Sequence, residues 1–460
     1  MKYVFLALFI LFAVMYVTAQ LTLSRPQQDD KVHLRWSTDP NPARAEQTAL
    51  FAKLNPGISV TVDPGLGGDQ TKLIVQCATG TGPDIFDIGT AEQMASLAQA
   101  GILLDLTEPA RAMGFSPADT YPSLANALLV DGRQYRFPCN VATNGVIYNK
   151  AVFDDHGVPY PKAGWTYDDL VRTCKLLQTN PSKSGQQHIT VANWSSGAFV
   201  GDMMAGHGAD FFTSDGLRST LDSPEVIAAM RLYHDMTLVE RAFPTLAELS
   251  TASSQGGWGS AIQIFSGGKA AMIFIGRWYI IQLRAFPELA SQLGTVPLPR
   301  VGDRPSQGVV GTRAAGVNAK SPNKDQALKF LKYLAGPEYG RVIVEGGDAL
   351  PPNPALARTG ADLVNDQVAD PAFHQAFIDA VEQGRTFNTS PFMDAVLVNR
   401  WFQERIDAVE NGITSPEDAM RSLATEVNQT IRINLERRPD LRRKYEQVTG
   451  KKWTIDWWRT

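Results

Sequence analysis

Apolar and polar residues alternate from Lys31 to Trp36 (KVHLRW), the period of a half-buried strand. Ser37-Thr38-Asp39-Pro40 reads as a turn and helix start, after which Ala45, Ala49, Leu50 and Leu54 recur at helical spacing. Asn55-Pro56-Gly57 stops that helix. The alternation then repeats, with a strand at Ile58–Asp63, a helix at Thr71–Ala78, a short buried strand at Asp84–Ile88 and a helix at Met94–Ala100. Strands alternating with helices predict an α/β lobe with a largely parallel sheet. Tyr135–Pro138 and Gly145–Asn149 predict extended chain passing out of that lobe. Amphipathic helices are expected at Tyr167–Leu177 and at Ser223–Met236, the second opened by a serine cap followed by proline. Ala270–Ile275 (AAMIFI) reads as a strand buried on both faces and ending at Gly276. Thr295–Pro297 and Arg313–Asn318 predict short extended segments, and Lys324–Leu334, Pro371–Val381 and Met393–Val409 predict helices.

The amino-terminal run changes the picture. Lys2 precedes an uncharged stretch from Tyr3 to Thr18 that closes on Val17-Thr18-Ala19, the layout of a signal peptide over residues 1–19. An uncleaved anchor is the alternative, and either one exports the rest of the chain. No cysteine ends the run, so lipoprotein processing is not supported. The 460 residues suit two or three domains, and 43 basic against 47 acidic side chains leave a formal charge of -4. A broad basic surface for nucleic acid is therefore excluded. Cys77, Cys139 and Cys174 are too few for a disulfide scaffold, although one bridge stays open. No His/Cys set has zinc-ligand spacing. His207 near Asp202 and Asp210 is the one mildly metal-like grouping, and a polar loop explains it equally well. Residues 431–460 hold nine Lys/Arg against four Asp/Glu and end on Trp453, Trp457 and Trp458. That extension reads as an amphipathic helix and tail wrapped on its own domain, with a membrane-surface or partner contact as the alternative.

Four ordered segments resemble the extracellular solute-binding proteins of ABC importers, family 1, the maltose-, maltodextrin- and multiple-sugar-binding proteins. They are Gly80–Asp87 (GTGPDIFD), Tyr135–Lys150 (YRFPCNVATNGVIYNK), Phe265–Trp278 (FSGGKAAMIFIGRW) and the weaker Ala315–Pro322 (AGVNAKSP). The resemblance covers roughly residues 32–410. It implies an α/β, two-lobed periplasmic binding protein type II fold with a ligand cleft between the lobes. By analogy lobe one is 30–140 plus 292–322, and lobe two is 141–291 plus 323–430. The implied hinges are Asn140–Thr143, the region of Leu293, and Asn318–Pro322. Hinge bending would close the lobes on ligand and present a new surface to a membrane ABC permease.

The implied ligand is a sugar or oligosaccharide, bound by a monomeric receptor in the periplasm with no cofactor, metal or nucleic acid. Sugar rings have apolar faces and polar edges, so flat aromatics and short polar side chains are the expected contacts. Trp278 matches the family's cleft tryptophan, and Trp194 and Trp258 sit in polar or glycine-rich settings that suit an exposed ring. Asn144 lies on the segment that enters lobe two. Asp87 sits near the end of a strand and Asp39 follows one, where α/β folds place ligand contacts. Arg44 and Arg277 offer donors to adjacent hydroxyls or to an acidic sugar. Gly311 would let backbone approach the ligand. No HExxH, GxSxG or GxGxxG stands in its required context, and no carboxylate pair is singled out. A secreted carbohydrate-active enzyme, or a non-transport carbohydrate-binding or sensor protein, is the alternative.

Overall fold

The computed structural model describes residues 30–41, 43–66, 70–193, 195–245, 247–248 and 258–459. The leader and Trp194 fall outside these residues. The main strands are β1 (Val32–Ser37), β2 (Ile58–Val62), β3 (Ile85–Ile88), β4 (Leu129–Val130), β5 (Arg133–Gln134), β6 (Phe137–Ala142), β7 (Asn144–Asn149), β8 (Ile189–Ala192), β9 (Ala270–Gly276), β10 (Leu293–Val296) and β11 (Gly311–Val317).

Two sheets define two α/β lobes. The first runs β2-β1-β3-β11-β6. Its β1 is parallel to β2 and β3, as helical crossovers require, while β11 runs antiparallel to β3 and β6. Leu34 and Trp36 of β1 point into a core with Phe51 of helix Ala43–Leu54 and Phe330 of helix Lys324–Ala335. The Phe330 ring lies edge-on to Trp36 at 5.1 Å and to Phe51 at 4.9 Å. The second sheet runs β10-β7-β9-β8. Every residue of β9 is buried, which explains its unbroken apolar run: helices cover both faces. Met272 and Phe274 face one core with Val146 and Phe199, and Ile273 and Ile275 face the other with Ile147 and Phe377.

This architecture revises the expected lobe limits. Leu293–Val296 pairs antiparallel with β7, so the segment belongs to the second sheet and not to lobe one. Helices Lys324–Ala335 and Pro337–Gly346 pack on the first lobe's core, so they belong to lobe one and not to a lobe-two segment 323–430. Two of the expected hinges move accordingly. Leu293 lies inside a strand, and Asn318–Pro322 is tied within lobe one, where Asn318 Nδ2 donates to Pro83 O (3.0 Å) and Ser321 Oγ to Asp84 Oδ1 (2.6 Å). The chain crosses at Thr143, then between β10 and β11, and again between helix Pro337–Gly346 and helix Pro371–Gln383.

The lobes also meet beside and beyond the crossings. Tyr121 and Leu124 pack with Val141, Val310, Leu350 and Ile378 at the crossing strands. Helix Ala395–Glu410 lies against helix Ala91–Gln99. Arg284 pairs with Glu46 at 3.0 Å, and Lys444 pairs with Asp131. The carboxy-terminal extension wraps on lobe two: Leu441 and Tyr445 are buried in its core, with Trp453 and Trp457 packed against it. Cys77, Cys139 and Cys174 are buried free thiols, so the open disulfide does not form. No helix among the described residues is long and apolar enough to cross a membrane.

Candidate functional site

The carboxyl ends of β1 and β3 bring Thr38, Asp39 and Asp87 together. Asp87 accepts from Trp36 Nε1 (2.8 Å), Thr38 Oγ1 (2.5 Å) and Arg313 Nη1 (3.2 Å). Arg313, third in β11, also donates to Tyr339 Oη at 3.0 Å, and its Nε lies 3.7 Å from Asp39 Oδ1. Arg44 donates to Asp39 (2.9 Å), Gln47 Oε1 (2.8 Å) and Asp348 (3.2 Å). Asn140 Nδ2 closes the set on Asp348 Oδ1 at 2.9 Å. Both guanidiniums face the Trp36 ring, at 5.9 Å for Arg44 and 5.5 Å for Arg313. Three carboxylates against two guanidiniums leave the cluster one negative charge if all are ionised. Desolvation acts against the Asp39 carboxylate, but Arg44 and Arg313 outweigh it, so its pKa falls below the ordinary value.

Asp39 is the open member, with 45% of its side chain exposed against 16% for Asp87 and 3% for Asp348. Gln47 Nε2 and Arg313 Nε are buried here without a hydrogen-bond partner, as is Thr143 Oγ1 at the crossing. An unpaired buried donor of this kind costs ~1–3 kcal/mol.

Across the crossing strands, Asn144 opens β7 and pairs in register with Gly276, the last residue of β9. Asn144 Nδ2 donates to Asp202 Oδ2 (2.7 Å), and Val309 N donates to Asp202 Oδ1 (2.9 Å). Burial raises the Asp202 pKa to about 6 despite those two bonds. Trp278 sits in the short 3-10 turn Arg277–Tyr279, half-buried against the lobe-two core. Its Cδ1 and Nε1 would stand 2.7 Å from a Cβ built on Gly276, so only glycine there leaves room for the ring.

The predicted residues thus separate by place. Asp39, Arg44 and Asp87 form one network at the lobe-one strand ends, while Asn144 and Trp278 flank the crossing on the lobe-two side. Gly311 starts β11 in an exposed position, with nothing within 4 Å of a Cβ built on it. Arg277 is placed elsewhere: it is 1% exposed and donates to Ala349 O (2.6 Å), Leu363 O (2.8 Å) and His374 Nδ1 (3.2 Å). Burial lowers its pKa to about 9. Trp258 opens helix Trp258–Ser266. The His207 grouping does not assemble, since His207 Nδ1 faces Met203 O and Asp210 pairs with Arg385.

Sequence reasoning missed Arg313, Asp348, Asn140 and Asp202. Arg313 carried a usable signal, a lone arginine entering an apolar segment two residues after glycine. Asp348 follows Gly346-Gly347, and nothing local ties it to Arg44, 304 residues away.

Two α/β lobes joined by crossing strands, with polar side chains gathered at the strand ends beside the crossings, define a cleft-type binding protein. The chain belongs to the bacterial extracellular solute-binding protein family, whose profile matches residues 36–341, more than half of its length. Its place is accordingly outside the cytoplasm. It is similar to the diacetylchitobiose binding protein DasA of Streptomyces coelicolor, 27% identical over 380 residues, covering 79% of this chain and 80% of that one. An arabinooligosaccharide-binding protein of Halalkalibacterium halodurans is 28% identical over 211 residues, 45% of each chain. Among solved structures, an ABC substrate-binding protein of Listeria monocytogenes in complex with cycloalternan superposes with a TM-score of 0.73 at 22% identity, covering 87% of this chain and 99% of that one. That likeness establishes the two-lobed fold.

Proposed function

We propose that the protein captures a neutral sugar or oligosaccharide between its lobes and delivers it to a membrane ABC importer. The observation that carries this reading is the pairing of a half-buried tryptophan shelf with a polar network whose arginines are already committed to carboxylates. Trp278 offers a flat apolar face to a sugar ring. Asp39, Asp87 and Asn144 accept from or donate to its hydroxyls, and the backbone at Gly311 is open to close approach. Trp194 and Trp258 are assigned as further ring-stacking candidates. The donors of Arg44 and Arg277 go to protein acceptors, and the lobe-one cluster carries no excess positive charge. An acidic or phosphorylated sugar therefore finds no free cation there. The ligands named for the relatives, diacetylchitobiose and cycloalternan among them, support a carbohydrate.

The protein acts by stoichiometric binding as a monomer, held in the periplasm or by an amino-terminal anchor, and it turns nothing over. A thermal-shift screen tests the reading. A saturable rise with one neutral sugar family, and none with sugar acids, is expected, because ligand that binds only the native state stabilises it by mass action. A rise with charged solutes alone, or release of shorter sugars from the oligosaccharide, would overturn it.

A further inference from the structure

Away from the cleft, the end of helix Lys150–His156 meets the chain that enters β8. There Asp155, His156 and His188 bring one carboxylate oxygen and two ring nitrogens within 4.8 Å of one another. His156 Nε2 lies 3.0 Å from His188 Nδ1, and His188 Nδ1 lies 4.0 Å from Asp155 Oδ2. We propose that Asp155, His156 and His188 form a binding site for a borderline divalent cation, zinc above all.

The surroundings orient each donor. His156 Nδ1 faces the carbonyl oxygen of Asn180 at 3.0 Å. A carbonyl only accepts, so Nδ1 carries the proton and Nε2 keeps its lone pair for a metal, the carbonyl-oriented histidine common in metal sites. In the metal-free protein His188 Nδ1–H donates to that lone pair. On binding, the His188 proton moves to Nε2 and Nδ1 becomes the second ligand, with no net proton gained or lost. Asp155 is fixed by Ser182 Oγ (2.5 Å) and Ser184 Oγ (3.0 Å) on Oδ2, and by Ser184 N (2.8 Å) on Oδ1.

Two ligands of a tetrahedral zinc stand about 3.3 Å apart, given metal–donor lengths near 2.05 Å. The His156–His188 separation of 3.0 Å lies within about 0.3 Å of that, the His188–Asp155 separation of 4.0 Å closes by about 0.7 Å, and the His156–Asp155 pair starts within 4.8 Å. Two imidazoles with one carboxylate select zinc, nickel or copper over calcium or magnesium, which take mostly oxygen. The histidine side of the site is closed, with His188 only 6% exposed, while Asp155 at 16% leaves an approach from solvent for the ion and a water. A bound ion would tie the 150–156 helix to β8, the edge strand of the second sheet.

Tag-free protein stripped with chelator and titrated with Zn²⁺ alone tests the site by calorimetry, with Co²⁺ absorption as a second readout. One saturable equivalent, a rise in Tm and tetrahedral-type cobalt bands are expected. His188→Gln should weaken binding at least tenfold and remove the bands, and Asp155→Asn should weaken it less. His207→Gln and His234→Gln should leave it unchanged. His156 is more deeply embedded, so His188→Gln is the decisive variant if His156→Gln fails to fold. Absence of stoichiometric binding, or binding that survives His188→Gln, overturns the proposal.

Discussion

Replacing Arg313 by methionine keeps most of the side-chain volume and removes the charge that holds three carboxylates at the lobe-one strand ends. The guanidinium stands 3.2 Å from Asp87, 3.7 Å from Asp39 and 3.8 Å from Asp348. Removing one partner of a buried pair costs ~3–5 kcal/mol, because the other charge is left uncompensated. Two features reduce that figure here. Asp87 keeps its bonds from Trp36 and Thr38, and Asp348 keeps Arg44 and Asn140. A loss of ~2–4 kcal/mol follows. For a lobe of this size that corresponds to a fall of about 5–12 °C in Tm. Scanning calorimetry of Arg313→Met, Asp87→Asn and the double variant measures it. The double variant should recover much of the loss, since the stranded carboxylate is gone. Asp39→Asn should cost only ~0–1 kcal/mol, because that side chain is 45% exposed and its pair is screened. A loss under about 1 kcal/mol for Arg313→Met, or no recovery in the double variant, would refute the assignment of Arg313 as the electrostatic centre of the network.

Trp278→Ala should abolish sugar-induced stabilisation while leaving the fold's circular dichroism intact, since the ring is only half-buried against the lobe-two core. Burial pushes the Asp202 pKa up to about 6, above its ordinary value of 3.8, so it favours the folded state most below pH 3.8 and loses that contribution as pH rises through 6. Asp202→Asn should therefore flatten the decline in Tm between about pH 4 and 6, with Asn144 turning its amide to keep the bond. Gly294→Ala would place a methyl 2.3 Å from the Tyr148 ring and should cost ~1–3 kcal/mol by overpacking β10 against β7, read by urea denaturation. Lys444→Ala with Glu46→Gln cuts two exposed ion pairs between the lobes, which should shift ligand-free protein toward open forms in small-angle scattering with little change in Tm.

The periodic parts of this fold were plain in the sequence. AAMIFI reads as a two-face-buried strand because its helices exclude polar residues from both sides, and helix Ala43–Leu54 ends at the expected stop, Asn55-Pro56-Gly57, although it buries Ala43, Arg44, Gln47 and Phe51 and leaves the expected apolar positions Ala45, Ala49 and Leu54 exposed. Lobe membership was less legible. A strand such as Leu293–Val296 shows its own pattern but not its partner, and only the pairing with β7 assigns it to the second sheet. The same holds for helix Lys324–Ala335, whose apolar face fits either core until Phe330 is seen against Trp36. Site residues on strand ends, such as Asp87, could be named from position. Asp348 could not, and Arg313 showed only a lone arginine entering an apolar segment, because their roles are created by contacts hundreds of residues apart in the chain. Arg277 shows the converse: an arginine next to a plausible stacking residue is spent on buried carbonyls.

The most direct test of the central claim is calorimetric titration of the purified protein with neutral oligosaccharides, sugar acids and sugar phosphates, run in parallel on Trp278→Ala. One-to-one binding of a neutral sugar, no binding of the anionic forms, and loss of the signal in the variant are expected. Tight binding of an anionic sugar, or neutral-sugar binding unchanged without Trp278, would contradict it.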